Sequence, residues 1–315
     1  MNHKDARRGM TRRSFLSTTG MALASAAGLS AGCNRLQPGS DNASERENRP
    51  ANAVQQKRST VVLVRDEHVL GAGRRPDPGI LSHMLDDAVA EIVGNPADTA
   101  WKKLIRSDDV VGIKSNVWQF LPTPKELEGA IQERLRFVGV TEDRMSVDDR
   151  GVRSNPVFQK ATALINVRPL RTHHWSGVGT CIKNYIVFSA LPFSWHVDSC
   201  ANLGGLWELP EVKDKTRLVI LVMLTPLFHG KGPHHFQAKY TWPYNGLIIG
   251  TDPVAVDATG LRILEAKRRE FFGKDEPLSV PPKHIRVAET KYHLGVSDPN
   301  RIDVKRIGWM DEVLI

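Results

Sequence analysis

The sequence predicts an α/β fold, a largely parallel, doubly wound sheet with helices on both faces, and three observations carry that expectation. Short apolar, β-branched runs such as Val61-Val62-Leu63-Val64 alternate with longer stretches of helical period. Residues 217–224 are almost continuously apolar, as a strand covered on both sides must be. The composition is that of a folded domain, with 41% hydrophobic and 25% charged residues in a chain of 315.

Taken in order, residues 61–64 form the first buried strand. Gly71-Ala72-Gly73 lacks both the third glycine and the immediate helix of a phosphate-cradling loop, so it reads as a turn. Asp77-Pro78 supplies a cap and a first helical residue for a helix reaching Val93. A second strand spans 109–114, and Thr123-Pro124-Lys125-Glu126 opens a helix that runs through Phe137. Further strands are expected at 145–150, ending in acids, and at 163–167. Residues 217–224 make the central strand. The last strand, 246–250, leads through Thr251-Asp252-Pro253 into a helix from Val254 to about Phe271. Neither a repeat nor a second linker interrupts this pattern, which predicts a single domain over 59–315.

The first 32 residues read differently. Thr11-Arg12-Arg13-Ser14-Phe15-Leu16 precedes a weakly apolar run, 18–32, rich in Ala, Gly and Ser and too short to span a bilayer comfortably. A twin arginine in this setting predicts an export signal and the twin-arginine export machinery as a partner. Leu29-Ser30-Ala31-Gly32-Cys33 resembles a lipoprotein processing box, which makes Cys33 the expected lipid anchor. Residues 33–58 are then a polar, flexible tether holding the domain at a membrane surface in the cell envelope or periplasm. The formal charge of +8 shrinks on this reading. Lys4, Arg7, Arg8, Arg12 and Arg13 against Asp5 leave with the signal, and the remaining +4 is dispersed, so no nucleic-acid partner is expected.

Cys181 and Cys200 are the other two cysteines. No Cys-x-x-Cys pair exists, which argues against an iron–sulfur cluster or a zinc ribbon. They are either a disulfide or two buried thiols.

Open α/β sheets bind ligands beyond the carboxyl ends of their strands, near a switch in strand order. Lys114 and Asn116 follow the second strand. Asp148, Asp149 and Arg150 close the third; Asn166, Arg171, His173 and His174 follow the fourth, and Asp252 ends the last. Each alone reads equally as a cap or turn residue, but their shared edge makes them candidates for holding a small anionic ligand. Six of the eleven histidines fall between 173 and 235. His174, His196 and His229 are the metal-ligand candidates, the alternative being structural hydrogen-bonding histidines. Lys183 sits where a glycine-bearing loop enters an apolar stretch, so partial burial would ease its deprotonation and suit it as base, nucleophile or cofactor anchor. His173, placed just past a strand, is the expected proton carrier, with His196 downstream.

Several of these segments resemble the domain-of-unknown-function 362 family. Gly112-Ile113-Lys114-Ser115-Asn116 is similar to its Lys-x-Asn strand end. Residues 164–173 are similar to its Asn-x-Pro-x-x-Lys-x-His segment, with Arg171 in place of lysine and one residue extra. Ile182-Lys183-Asn184 resembles its Leu-Lys-Asn, which adds Asn184 to the ligand set, and Asp252-Pro253-Val254-Ala255-Val256-Asp257 is nearly its signature. Residues 222–235 depart from the family's acidic strand end, and the cluster-binding cysteines of some relatives have no counterpart. The order His173, Lys183, His196 also resembles the nickel-pincer lactate racemase family, a resemblance that implies a nucleotide-type cofactor. Two functions follow as expectations. One is an exported acid–base or redox enzyme using His173, Lys183 and His196 with a metal or nucleotide-type cofactor. The other is an extracytoplasmic binding protein for a metal ion or small anion.

Overall fold

The computed structural model describes residues 57–232 and 235–315. The twin-arginine segment, Cys33 and the tether as far as Gln56 lie outside them. The described residues belong to one compact unit, Ala53–Ile315. In chain order its elements are β1 (Ser59–Arg65), α1 (Pro78–Val93), α2 (Ala97–Leu104), β2 (Val111–Lys114), α3 (Lys125–Val138), β3 (Met145–Asp148) and α4 (Pro156–Gln159). Then come β4 (Ala163–His173), β5 (Gly177–Gly179), α5 (Cys181–Asn184), β6 (Thr216–Leu227), β7 (Gly246–Gly250), α6 (Pro253–Phe272), α7 (Lys283–Thr290) and β8 (Ile302–Gly308).

Strand residues alternate between two cores, as the period of two demands. Val62 and Val64 join Ile220, Ile249 and the apolar stripes of α1, α2 and α3. Val61 and Leu63 join Val219, Leu221, Ile248 and residues of α6 and α7. The helix signals in the sequence act as expected at α1. Asp77 Oδ1 accepts the Ile80 N–H at 2.9 Å, Pro78 occupies the first turn, and Gly94 ends the helix at φ 69°.

The strands form one eight-stranded sheet in the order β3-β2-β4-β6-β7-β1-β8, with β5 hairpinned onto β4. β2, β3, β4 and β6 pair in parallel, and β1 pairs in parallel with β8. β7 runs against both its neighbours. The cause is the connection. A parallel return needs a crossover helix, whereas the described residues between Leu227 and Gly246 hold no α-helix.

Two expectations change here. The strand predicted to stop at Val167 continues to His173, carrying Arg168, Pro169 and Arg171 inside the sheet. Pro169 is accommodated because the β4–β6 register breaks between Pro169 and Arg171, the sort of irregularity at which a strand tolerates proline. Asp252 does not share the carboxyl edge of the parallel strands. Because β7 is antiparallel, its end lies at the opposite edge, where Gly250 pairs with Val61 and Val219. There Asp252 Oδ1 caps α6 through Val254 N (2.9 Å) and Ala255 N (3.0 Å), while Oδ2 takes Val296 N at 3.0 Å. Asp252→Ala should therefore lower stability by about 2 kcal/mol in urea unfolding, while leaving ligand binding at the far edge unaltered in calorimetry.

Candidate functional site

β2 and β4 are neighbours whose onward connections leave in opposite directions. After β2 the chain crosses through α3 to β3 on one side; after β4 it passes through β5 and α5 to β6 on the other. A crevice opens beyond their carboxyl ends for that reason. It holds a cavity of about 260 Å³ lined by residues from the β2 end (Asn116, Trp118), from after β3 (Asp149, Arg150), from β4 (Arg168, Arg171, His173), and from α5 and the turns beyond it (Lys183, Asn184, Ile186, Val187, His196).

Beneath the cavity lies Lys114, fully buried. Its ammonium donates to Asp149 Oδ1 at 2.5 Å, Ser115 O at 2.6 Å and Asn184 Oδ1 at 3.3 Å, so each of its protons has an acceptor. Burial pulls its pKa down to about 8 against the attraction of Asp149. Burial, the largest single influence on Asp149, acts to raise its pKa. The Lys114 ammonium and the Val117 N–H together outweigh it and hold the carboxyl below the usual range. Asn184 completes the floor. Its Nδ2 donates to Asn166 Oδ1 (2.8 Å), Val167 O (3.1 Å) and Lys114 O (3.2 Å), and Asn166 Nδ2 donates to Cys181 O at 2.9 Å. These bonds weld α5 to β2 and β4. From α6, Asp257 accepts the Cys181 and Ile182 N–H groups at 2.9 and 2.8 Å. Burial pushes its pKa up to about 7, against the pull of Thr180 and those two N–H groups.

The walls are cationic. Arg168 and Arg171 stand three residues apart, a spacing that in a regular strand sends side chains to opposite faces, yet the register break lets both line one cavity. Arg171 donates to Asn116 Oδ1 at 2.9 Å and lies over the Trp118 ring, 4.2 Å from its centroid. Arg168 passes over Gly179, where a Cβ would come within 2.9 Å of its guanidinium. The Nε of each arginine is buried without a hydrogen-bond partner among the described residues. Burial lowers both pKa values, and Arg168 lowers that of Arg171 further. Arg150, Arg168, Arg171 and Lys183 face the cavity with a single carboxylate, Asp149, which Lys114 already neutralises.

Lys183 Nζ contacts His196 Nε2 at 3.0 Å and Cys200 Sγ at 3.8 Å. Burial brings its pKa down to about 8. Burial and the neighbouring ammonium also depress His196, so the pair fits an ammonium donating to a neutral imidazole whose Nδ1–H points to Phe193 O at 3.3 Å. His173 differs from the proton carrier expected of it. Burial, then Lys183 and Arg168, hold its pKa far below the ordinary value. Its Nδ1 accepts the Trp175 N–H at 3.2 Å, which fixes the ring proton on Nε2. It is a neutral donor.

Of the residues singled out from sequence, Asn116, Arg171, His173, Lys183, Asn184 and His196 line this cavity. Lys114 and Asn166 sit under it and shape it. Asp252 is at the other edge. His229 lines a separate cavity with Arg268, whose Nη1 lies 3.1 Å from its Nδ1. His174 stacks on His173 (4.7 Å) and meets the Trp175 ring at a tilt of 45° (4.2 Å). Among the described residues no group of three His, Cys, Asp or Glu gathers as a metal cluster. Cys181 and Cys200 are free, buried thiols. Asp149 and Arg150, expected at the end of the third strand, line the cavity as well. Sequence reasoning passed over Arg168 and Asp257. The alternation Asn166-x-Arg168 was the available signal for the first, and the last residue of the Asp252–Asp257 motif for the second.

With Asp149, Arg168, Lys183 and Asp257 placed about one crevice, their membership of a common segment becomes informative. Residues 129–262 match a family model, described as a domain of unknown function (DUF362). The DUF362 match runs from within α3 to midway along α6, taking in every cavity residue except Asn116 and Trp118. No curated protein and no solved structure matches the chain.

The charge balance is testable without a ligand. Arg168→Met removes a buried, poorly compensated charge and should raise stability by about 1 kcal/mol in anion-free buffer. Lys114→Met strands Asp149 and should lower it by about 3 kcal/mol. Urea unfolding of the two variants beside the parent chain measures both.

Proposed function

We propose that this chain binds a small anion, a carboxylate, phosphate or sulfate group, in the crevice between β2 and β4. The observation that carries the reading is the excess of cationic side chains over the one neutralised carboxylate facing the cavity. Buried guanidiniums with unpartnered Nε groups cost folding free energy unless a counter-charge is supplied. In this reading Arg168, Arg171 and Lys183 supply charge, and the His173 Nε2–H and Asn116 amide supply directional donors. A second reading, proton transfer on the bound anion, is favoured by the 3.0 Å contact between Lys183 and His196. A lysine near pKa 8 beside a neutral imidazole can take or give a proton near neutrality. We further propose that the domain works outside the cytoplasm, carried by the twin-arginine segment and held at a membrane by an acylated Cys33. The Arg12-Arg13 pair and the small-residue box before Cys33 support this.

Sulfate is the suitable probe, because it does not titrate over the relevant range. Titration by calorimetry should show binding that weakens tenfold or more in Arg171→Gln. As pH rises through about 8, Lys183 loses the charge that attracts the anion. Affinity should therefore be level below that pH and fall above it, with log Kd approaching a slope of about one per pH unit for one linked proton. Lys183→Met, which leaves Lys114 and Asp257 in place, isolates the share due to Lys183. A pH-independent Kd in the parent chain would remove Lys183 from the site, and absence of sulfate and phosphate binding would remove the anion reading.

The address is checked separately. Replacing Arg12-Arg13 by two lysines should leave the protein in the cytoplasmic fraction, and Cys33→Ala should release it from membranes into the soluble envelope fraction. Unchanged fractionation of both variants would refute the export proposal.

A further inference from the structure

Two exposed apolar clusters flank the cavity, and each begins at a residue that lines it. On one side Trp118, a cavity residue, meets Phe120 edge-on at 5.3 Å, and Phe120 stacks on Phe236 at 4.9 Å. On the other, His196, also a cavity residue, packs against Trp175 at 4.3 Å and Phe193 at 5.7 Å. Phe120 is 44% exposed and Phe193 74%. Among the described residues eight large hydrophobic side chains are exposed, and only Phe137 and Phe271 lie more than two residues along the chain from a member of these two clusters. Scattered exposure of this kind needs no explanation, but concentration at one mouth does. Ile186 and Val187 extend the apolar character into the cavity wall itself.

We infer that the ligand is an amphiphile, an anionic head group joined to an alkyl or acyl chain. The inference rests on the anion reading above and names its ligand class. The head group meets Arg168, Arg171 and Lys183, and the chain leaves the crevice across the aromatic rim. Volume supports the division. A cavity of about 260 Å³ holds a phosphate or carboxylate with a few carbons, so a longer chain must lie on the rim. Charge supports it too, since a purely apolar occupant would leave the cationic walls desolvated and unpaired.

The test is a chain-length series of alkyl phosphates, from ethyl to dodecyl, titrated into the purified protein below their critical micelle concentrations. Affinity should rise about two- to fourfold per added methylene while the chain still reaches the rim, then level off. The double variant Phe120→Ser/Phe193→Ser should flatten that rise. Both substitutions are at exposed positions, so the fold is not at stake. Arg171→Gln should weaken every member of the series by a similar factor. A flat series with inorganic phosphate still bound overturns the amphiphile and leaves the anion reading standing. No binding by any member, inorganic phosphate included, overturns both. A flat monomer series with binding to anionic phospholipid vesicles makes the rim a membrane-facing surface and overturns the inference. Dodecyl maltoside binding as tightly as dodecyl phosphate does the same, because charge would then play no part.

Discussion

Lys114 carries an ammonium group into a place with no exposure to solvent, and the carboxyl edge of the sheet is organised around keeping it there. Its three acceptors come from three segments: Ser115 beside it, Asp149 past the end of β3, and Asn184 from α5. None of these segments is close to the others in sequence, apart from Ser115. The charge therefore acts as a register pin. It sets how far β2 and β3 project, and it places α5 across the opening between β2 and β4. A hydrophobic residue could fill that volume but could not demand one arrangement of three loops, which is the use of buried polar groups with the best physical rationale.

Above that pin the balance of charge shifts. Asp149 is used up by Lys114, so Arg168 and Arg171 line the crevice without a counter-ion of their own. The two guanidiniums repel each other, and both depress His173. Local conflicts of this sort are rare in purely structural cores and concentrate where a ligand completes the electrostatics. The same field bears on the states of the neighbouring groups. Burial comes first and that field adds to it, keeping His173 neutral and bringing Lys183 within reach of deprotonation at mild pH.

The sheet and most of its strands were legible because their signals are local. Residues 61–64 and 217–224 are apolar on both faces, and Asp77-Pro78 states a helix start by itself. What was not legible depended on connections. The direction of β7 goes with a connection from Leu227 to Gly246 whose described residues hold no crossover helix. That single reversal sends Asp252, whose motif context resembled a site, to the far edge as a helix cap. Arg168 was obscured by Pro169, since proline argues for a strand end and only the register with β6 shows that the strand goes on. The elements β5, α2, α7 and β8 span only three to eight residues each, too few for their patterns to stand out from the surrounding loops. Asn116, Arg171, His173, Lys183, Asn184 and His196 lie around one cavity because they sit at or after the ends of adjacent parallel strands, a placement that strand prediction does anticipate.

The pairing of β1 with β8 has a consequence for the life of the chain. Every residue of the first strand, Ser59 to Arg65, takes its outer partner from the last, Ile302 to Gly308. While the polypeptide is being made, that edge stays open until the final strand emerges, leaving a valine-rich ladder of unpaired N–H and C=O groups. A ribosome product cut short anywhere before residue 302 thus displays a sticky flank immediately behind its N-terminal segment. Concealment of that flank waits on β8, so a copy lacking this strand is physically distinguishable from one that has it, at a site far from the missing residues in sequence.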